Sequence, residues 1–448
     1  MISIAIGDVK HNPDYAWLQL QGGTLLPGLL GAAYEPQASR GALVEERIAL
    51  VFKGTPAQIA SVLMRLEDLL ARANRYTEEQ VGCAHYLRLK FEDGGYYYYA
   101  RILNARLGPK ELSLAYYTGG SLGVDLIFTR PNHFDSEEIA VPIDNSSASD
   151  VTSGLTLYNH DDGTSGHDNF FYIDDADIVT ELPAPLRLEL TNNYASGALK
   201  DLMIGSFQYN AFNALPALVY EGESGSGGTD QADANSSNAY FCRLTWNTVV
   251  WEDLLYWPLT SANITKFQGR SVMPLMRLAN AHSYSDLQLK LKVLAGGITL
   301  YEGASITADS SLGYLVFPAL RLPPAPLAGA ISAQAHALYL SGLKTTAGGY
   351  TLDIDYMLLL PLDSFSHYQA LINLAQNDRL IDDAFEGLVN GVGSGLELST
   401  HIPLQQGHFI RPGHDAYFYV FQSDGADDAP IERTLSVKVF YRQRKRIV

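Results

Sequence analysis

Thr55-Pro56-Ala57-Gln58-Ile59-Ala60-Ser61-Val62-Leu63-Met64-Arg65-Leu66-Glu67-Asp68-Leu69-Leu70 is the most legible stretch of the chain. Thr55 reads as an N-cap, Pro56 as the first helical residue, and Gln58, three residues after the cap, as the partner that closes a capping box. Ile59, Val62, Leu63, Leu66, Leu69 and Leu70 recur at helical spacing, while Arg65, Glu67, Asp68 and Arg72 take the other side. The pattern predicts one amphipathic helix laid on a sheet. Before it, Ile48, Leu50 and Phe52 alternate with Arg47, Ala49 and Val51; after it, Leu87, Leu89 and Phe91 alternate with Arg88 and Lys90. Asp93-Gly94-Gly95 reads as a hairpin turn into Tyr96 to Leu107, and Thr118-Gly119-Gly120-Ser121 separates Tyr116-Tyr117 from a strand at Val124 to Phe128. Residues 1–135 are therefore expected to form an α+β unit with one dominant helix.

Further along, periodicity lapses between Phe134 and Gly154, where Asn145-Ser146-Ser147-Ala148-Ser149 has a linker's composition, so 136–154 is expected to be a linker. Beyond it almost everything alternates with period two: Leu186, Leu188 and Leu190; Leu287, Leu289, Leu291 and Val293; Leu352, Ile354, Tyr356 and Leu358. Short strands between Gly, Asn and Asp turns predict a β-sandwich or jelly roll over 155–362, making the chain mainly β. Glu221 to Asn238, rich in Gly, Ser, Asp and Asn, has the composition of a mobile loop. Residues 363–448 offer a helix-like stretch at Tyr368 to Leu380, a Gly-rich piece at Gly391 to Gly395, a strand at Leu435 to Arg442 and a basic tail at Arg444, Lys445 and Arg446. That is too little for a core of its own, so the segment is expected to pack back on the first domain.

The chain has 448 residues, too many for one ordinary core, and its 31 basic against 49 acidic side chains give a net charge of −18. Such acidity argues against specific nucleic-acid binding, which needs clustered Lys and Arg. Neither a signal peptide nor a membrane span is legible, so synthesis in the cytoplasm without membrane insertion is expected. Cys83 and Cys242, far apart in strand-like runs, exclude a disulfide framework and a Cys-based zinc site.

The search for chemistry yields few candidates. Gly119-Gly120-Ser121-Leu122-Gly123 matches a nucleophile-elbow pattern, yet a strand rather than a helix is expected after it. His160, Asp161, Asp162, His167 and Asp168 crowd one segment but lack a calcium-loop spacing, and read as a solvated loop. Asp353 and Asp355 share a strand face, as ordinary carboxylates of a solvated sheet would. Trp246, Trp251, Tyr256 and Trp257 cluster closely and are the candidates for carbohydrate binding, because aromatic faces stack on sugar rings; packing in a core is the competing reading. Tyr96, Tyr97, Tyr98 and Tyr99 are candidates for an oligomer edge. No cofactor, metal or catalytic activity is expected.

The run Val44 to Leu70, with Arg411-Pro412-Gly413-His414 and Leu435 to Arg442, resembles the distal tail proteins of long-tailed bacteriophages. The resemblance spans roughly residues 1–130 and 409–448, and the middle of the chain is longer than that family's usual outer module. It implies a ring, most simply a hexamer, at the end of the tail tube, with a galectin-like sandwich projecting outward. The partners implied are further copies of the chain, the tail tube, other tail-tip proteins and a host-surface glycan, and the location is the virion. A free-standing carbohydrate-binding or adhesin protein is the alternative, and a β-sandwich glycoside hydrolase the third.

Overall fold

The computed structural model describes residues 3–8, 17–36, 41–79, 84–90, 97–108, 111–112, 121–161, 164, 166–209, 218–259, 269–280, 283–309, 313–322, 336–346, 348–368, 373–393, 398–400, 407–423 and 433–446. The fold is mainly β, with a single α-helix among the described residues. The chain divides into two compact units: Met1–Ile139 with Val179–Ala184 and Arg442–Val448, and Ala140–Ile178 with Pro185–Tyr441. No helix of the described residues is long and apolar enough to cross a membrane.

The first unit holds β1 (Ser3–Asp8), β2 (Trp17–Gln21), β3 (Leu29–Ala33), β4 (Leu43–Phe52), α1 (Pro56–Glu79), β5 (His85–Lys90), β6 (Tyr97–Arg101), β7 (Asn104–Leu107), β8 (Glu111–Leu112), β9 (Leu122–Pro131) and β10 (Phe134–Val141). One sheet runs β2-β1-β5-β6-β10; the other runs β3-β4-β9-β7, with β8 also on β9. The cap forms as the sequence dictates: Gln58 N donates to Thr55 Oγ1 at 3.3 Å, and Thr55 N donates to Gln58 Oε1 at 2.9 Å. From there Ile59, Val62, Leu63, Leu66, Leu69 and Leu70 enter a core with Ile48, Leu50 and Phe52 of β4 and Leu87 and Leu89 of β5. A buried pair secures the far end of the β4–β9 ladder, where Arg130 donates twice to Glu46 at 2.8 and 2.7 Å and its guanidinium lies 4.2 Å from the Phe134 ring centroid. Tyr34 also donates to Glu46, and burial followed by that carboxylate's charge pushes its hydroxyl pKa up.

The tyrosine strand is not an edge. β6 pairs with β5, Lys90 opposite Tyr97, and with β10, Asp135 opposite Tyr99, so Tyr97 to Tyr99 lie inside the sheet. Tyr96, the Asp93-Gly94-Gly95 turn, Tyr116-Tyr117 and Cys83 lie outside the described residues. The basic tail also differs from a solvated end: Arg444 Nε donates to Asp135 Oδ1 at 2.7 Å, and its backbone N donates to Thr180 Oγ1 at 3.0 Å.

The second unit begins with β11 (Leu155–Tyr158), β12 (Phe170–Ile173), β13 (Ala184–Asn192) and β14 (Asp201–Tyr209). It continues through β15 (Val219–Glu221), β16 (Thr229–Ala232), β17 (Tyr240–Trp246), β18 (Glu252–Leu259), β19 (Ser271–Leu278), β20 (Ser283–Ala295), β21 (Ile298–Glu302) and β22 (Ile306–Asp309). Then come β23 (Tyr314–Val316), β24 (Leu320–Arg321), β25 (His336–Lys344), β26 (Tyr350–Pro361), β27 (Ser364–His367), β28 (Arg379–Asp383), β29 (Leu388–Val392) and β30 (Leu398–Thr400). β31 (Phe409–Ile410), β32 (Asp415–Ser423) and β33 (Thr434–Lys445) complete it.

Pairing shows a nested layout. Strands β15 to β26 make two sheets, β16-β17-β26-β19-β23 and β18-β25-β20-β21, whose inner residues share one core. The flanking strands make the sheet β12-β32-β14-β27 and the ladder β33-β13-β28-β29-β30. β32 alternates between two cores: Tyr417, Tyr419 and Phe421 join the β15–β26 core, while Ala416, Phe418 and Val420 are buried on the other face.

This corrects three expectations. The C-terminal segment is woven into the second unit, β32 pairing with β14 over nine positions and β33 with β13 over seven; only its last residues belong to the first unit. A sandwich bounded at 155 and 362 would lack those partners. The segment 136–154 is not a free linker: its first residues belong to β10, which ends at Val141, and a pinned turn follows, because Asn145 Oδ1 accepts from the backbone of Ser147 and Ala148, and Ile143 bridges Val151. Tyr368 to Leu380 forms no helix where it is described: Leu374 bridges Leu199, Asn377 turns with φ +68°, and β28 starts at Arg379. The apolar spacing there serves pairing with neighbouring strands, a long-range gain that outweighs local helical preference.

Leu66 is fully buried in the first core. Leu66→Ala is expected to cost roughly 2–5 kcal/mol in a urea titration, as a truncation that leaves a cavity does. A loss within error of zero contradicts the facing of α1.

Candidate functional site

The aromatic cluster divides by strand parity. In β18, Leu255, Trp257 and Leu259 point into the core while Tyr256 and Pro258 point out. Trp257 is 0% exposed and its Nε1 donates to Glu221 O at 2.8 Å; Trp246, on β17, is 7% exposed. Those two of the four candidates are therefore structural. Trp251 and Tyr256 remain, 36% and 38% exposed, on the outer side of the sheet β18-β25-β20-β21.

Register brings further residues to them that are distant in sequence. Tyr256 stands opposite Tyr339 with rings stacked at 5.1 Å; Tyr339 stands opposite Lys292, and Lys292 opposite Glu302. In the next row Asp253 faces Ser341, which faces Lys290. Lys290 Nζ lies 3.9 Å from the Trp251 ring centroid and pairs with Glu302, whose carboxyl it holds below the usual range. Asp253 accepts from Lys292 at 2.8 Å and from Ser341 at 2.5 Å; burial alone would raise its pKa, and these donors lower it.

The other sheet of this sandwich is buried at its centre. β26 is its central strand, and every residue from Leu352 to Pro361 is buried, so Asp353 and Asp355 are internal groups rather than residues of a solvated face. Arg243 donates to Asp353 at 2.7 and 2.8 Å, and Asn280 adds a third bond at 2.8 Å. Arg277 pairs with Asp355, which also accepts Ser237 N at 2.7 Å. Burial still pushes Asp355 up to about 6 against the pull of Arg277. Both carboxylates are held by partners within the sheet and its cover.

The cover over Asp355 is the tract expected to be a mobile loop. Glu221 to Asn238 is ordered: Gly222 N donates to Asp355 O at 2.6 Å, and Ser226 exchanges both backbone bonds with Tyr256 at 2.9 and 3.1 Å. Its glycines serve close approach. A Cβ on Gly228 would meet Cys242 Sγ, and Gly227, at φ +138°, lies against Leu254 O. Cys242 is accordingly a buried thiol. The cover encloses Glu221 Oε2 without a hydrogen-bond partner, although Ser237 Oγ donates to Oε1 at 2.9 Å. Burial, then the charges of Asp355, Glu223 and Asp161, push Glu221 up to about 9.

The remaining candidates do not converge. Asp168 accepts from Ser146 N at 2.9 Å, His167 stacks on Tyr158 at 4.0 Å, and His160 lies 5.8 Å from the Tyr356 ring; Asp162 lies outside the described residues. Among the described residues the group that brings three carboxylates within ligand range is Asp174, Asp175 and Asp415, of which Asp174 caps Ala176 N and Asp415 accepts Asp175 N. Sequence reading missed that group, which unites positions far apart in the chain. Ser121 leads straight into β9, so no nucleophile elbow forms.

No family model and no curated protein matches the chain. Among solved structures, a family 35 carbohydrate-binding module from Clostridium thermocellum is 16% identical, with 32% of this chain and 97% of the module covered, at a TM-score of 0.20. The structure of infectious bursal disease virus Gt strain is 7% identical over 83% of this chain and 87% of that one, at a TM-score of 0.18. The T=1 particles derived from that virus are likewise 7% identical, over 70% and 79%, at 0.19.

Glu221 sets the pH response of the cover. Its carboxyl has an ordinary value of 4.5 and a folded value of about 9, so between them the folded state holds the extra proton and stability falls as pH rises. His408, lowered by burial to about 4, and Asp355 and Asp382, raised by burial to about 6, act in opposite senses and titrate alike in parent and variant, so they cancel in the comparison between the two. Glu221→Gln is therefore expected to gain in Tm over the parent between pH 6.5 and 9, by roughly 2–4 °C per ~1 kcal/mol. Parallel melting curves across that range contradict the assignment.

Proposed function

We propose that this chain is a structural protein of a bacteriophage tail, forming a ring at the distal end of the tail tube and linking it to the host-recognition apparatus. What supports the reading is the resemblance to distal tail proteins carried by Val44 to Leu70, which form β4, the Thr55–Gln58 cap and the first part of α1, together with Arg411 to His414 and Leu435 to Arg442. Among the described residues β2 pairs only with β1 and β3 only with β4. Two different open edges suit a head-to-tail contact, and a closed ring satisfies both without a free end. Leu30 on β3 and Val51 on β4 are exposed apolar side chains beside one of those edges. A net charge of −18 suits a channel that passes DNA without retaining it.

The partners in this reading are further copies of the chain, the tail tube and other tail-tip proteins. The location is the virion, after synthesis in the host cytoplasm, and the protein acts by assembly rather than turnover. A free-standing carbohydrate-binding or adhesin protein is the second reading, favoured by the outward Trp251 and Tyr256. Native mass spectrometry and negative-stain imaging of the full chain separate the two. Closed rings, six-membered in the simplest case, are expected at high concentration or beside tail particles. A monomer at every concentration that never accompanies tail particles contradicts the ring.

A further inference from the structure

The outer face of β18-β25-β20-β21 combines two features that sheet stability alone does not require. First, it displays aromatic surface on two sites: the Trp251 ring, and the stacked Tyr256–Tyr339 pair. Exposed aromatic side chains forgo the burial free energy that makes them favourable in cores. Second, the polar groups between them are already positioned. Lys292 is fixed to Asp253, Ser341 to Asp253, and Lys290 to both Glu302 and the Trp251 ring. The lysine side chains are largely buried along the sheet, whereas Asp253 and Glu302 keep side-chain exposures of 41% and 47%. What solvent meets is therefore aromatic faces alternating with fixed carboxylate acceptors.

A pyranose ring has the complementary surface, with an apolar face of axial C–H bonds and a rim of hydroxyl donors. Local charge selects among sugars. Lys290 and Lys292 are matched by Asp253 and Glu302, so the face carries no surplus positive charge for sulfated or carboxylated glycans or for anionic lipid headgroups, and the chain as a whole is strongly acidic. We propose that this face binds a neutral polysaccharide chain, with Trp251 and the Tyr256–Tyr339 pair stacking on sugar rings and Asp253 and Glu302 accepting hydroxyl hydrogens. It deepens the proposed function by naming the ligand class of the second unit, and it rests on that unit's sheet, not on ring closure.

The test is retention of the full chain on a printed array of neutral hexose and N-acetylhexosamine oligosaccharides. Sulfated and sialylated oligosaccharides, and phosphatidylcholine–phosphatidylglycerol vesicles, serve as comparators. Binding to one or more neutral oligosaccharides is expected, weakened at least tenfold in Trp251→Ala and in Tyr256→Ala, with Trp251→Phe retaining part of it. Unchanged melting curves and ring formation in these variants separate loss of the ligand from loss of the fold or of the ring. No retention on any neutral oligosaccharide, equal retention by both alanine variants, or binding confined to the charged comparators or vesicles overturns the proposal. Rings without glycan binding would leave the tail reading standing, and glycan binding by a permanent monomer would do the reverse.

Discussion

Burial of β26 on both faces is the constraint on which the second unit depends. A strand between two neighbours and under a cover cannot leave carboxylates to water, so Asp353 and Asp355 require countercharges. Arg243 sits directly opposite Asp353 on β17, and Arg277 approaches Asp355 from β19. The register of three strands is thereby tied to two ion pairs, since a slip of one residue would turn each carboxylate to the other face and strand its guanidinium. Removing Arg277, which is itself buried, would leave Asp355 as an uncompensated buried charge, typically about 3–5 kcal/mol of destabilisation, whereas the Arg243 side chain is 40% exposed and solvent screens its pair with Asp353.

The cover follows from the same constraint. Residues 221–239 bring backbone donors to Asp355 and a backbone carbonyl to Trp257, and must lie close enough for glycine alone to fit at positions such as Gly228. The cover thereby buries β26, while β16 at the margin of the same sheet stays exposed and Ser226 pairs with Tyr256 of the other sheet. The outer face of β18-β25-β20-β21, bearing Trp251, Tyr256 and Tyr339, is the face for which glycan binding is proposed, and ring assembly is proposed for the strands of the first unit.

Local signals carried far in this sequence, and non-local ones did not. The Thr55–Gln58 cap and the spacing from Ile59 to Leu70 specify α1 because both are satisfied within a few residues. Parity in Leu255, Trp257 and Leu259 already separates Trp257 from Tyr256, a distinction that treating the four aromatics as one cluster obscures. For Asp353 and Asp355 the apolar Met357 and Leu359, in the same alternation, were the sign of a face that is not solvated. What pairs with a strand depends on register across long separations: Tyr339 beside Tyr256, Asp135 beside Tyr99, and β32 beside β14 have no signature in their own neighbourhoods. Composition misled at Glu221 to Asn238, because glycine serves both flexible chains and close packing.

The central claim is that the Glu221 to Asn238 tract is a fixed cover on a doubly buried strand, anchored to β26 through Asp355 and to β18 through Tyr256. Amide hydrogen exchange of the full chain, resolved to single residues, measures it most directly. The amides of Gly222, Ser226 and Ser237, bonded to Asp355 O, Tyr256 O and Asp355 Oδ1, are expected to exchange as slowly as those of β17. Exchange of all three at the rate of an unstructured peptide would contradict the account.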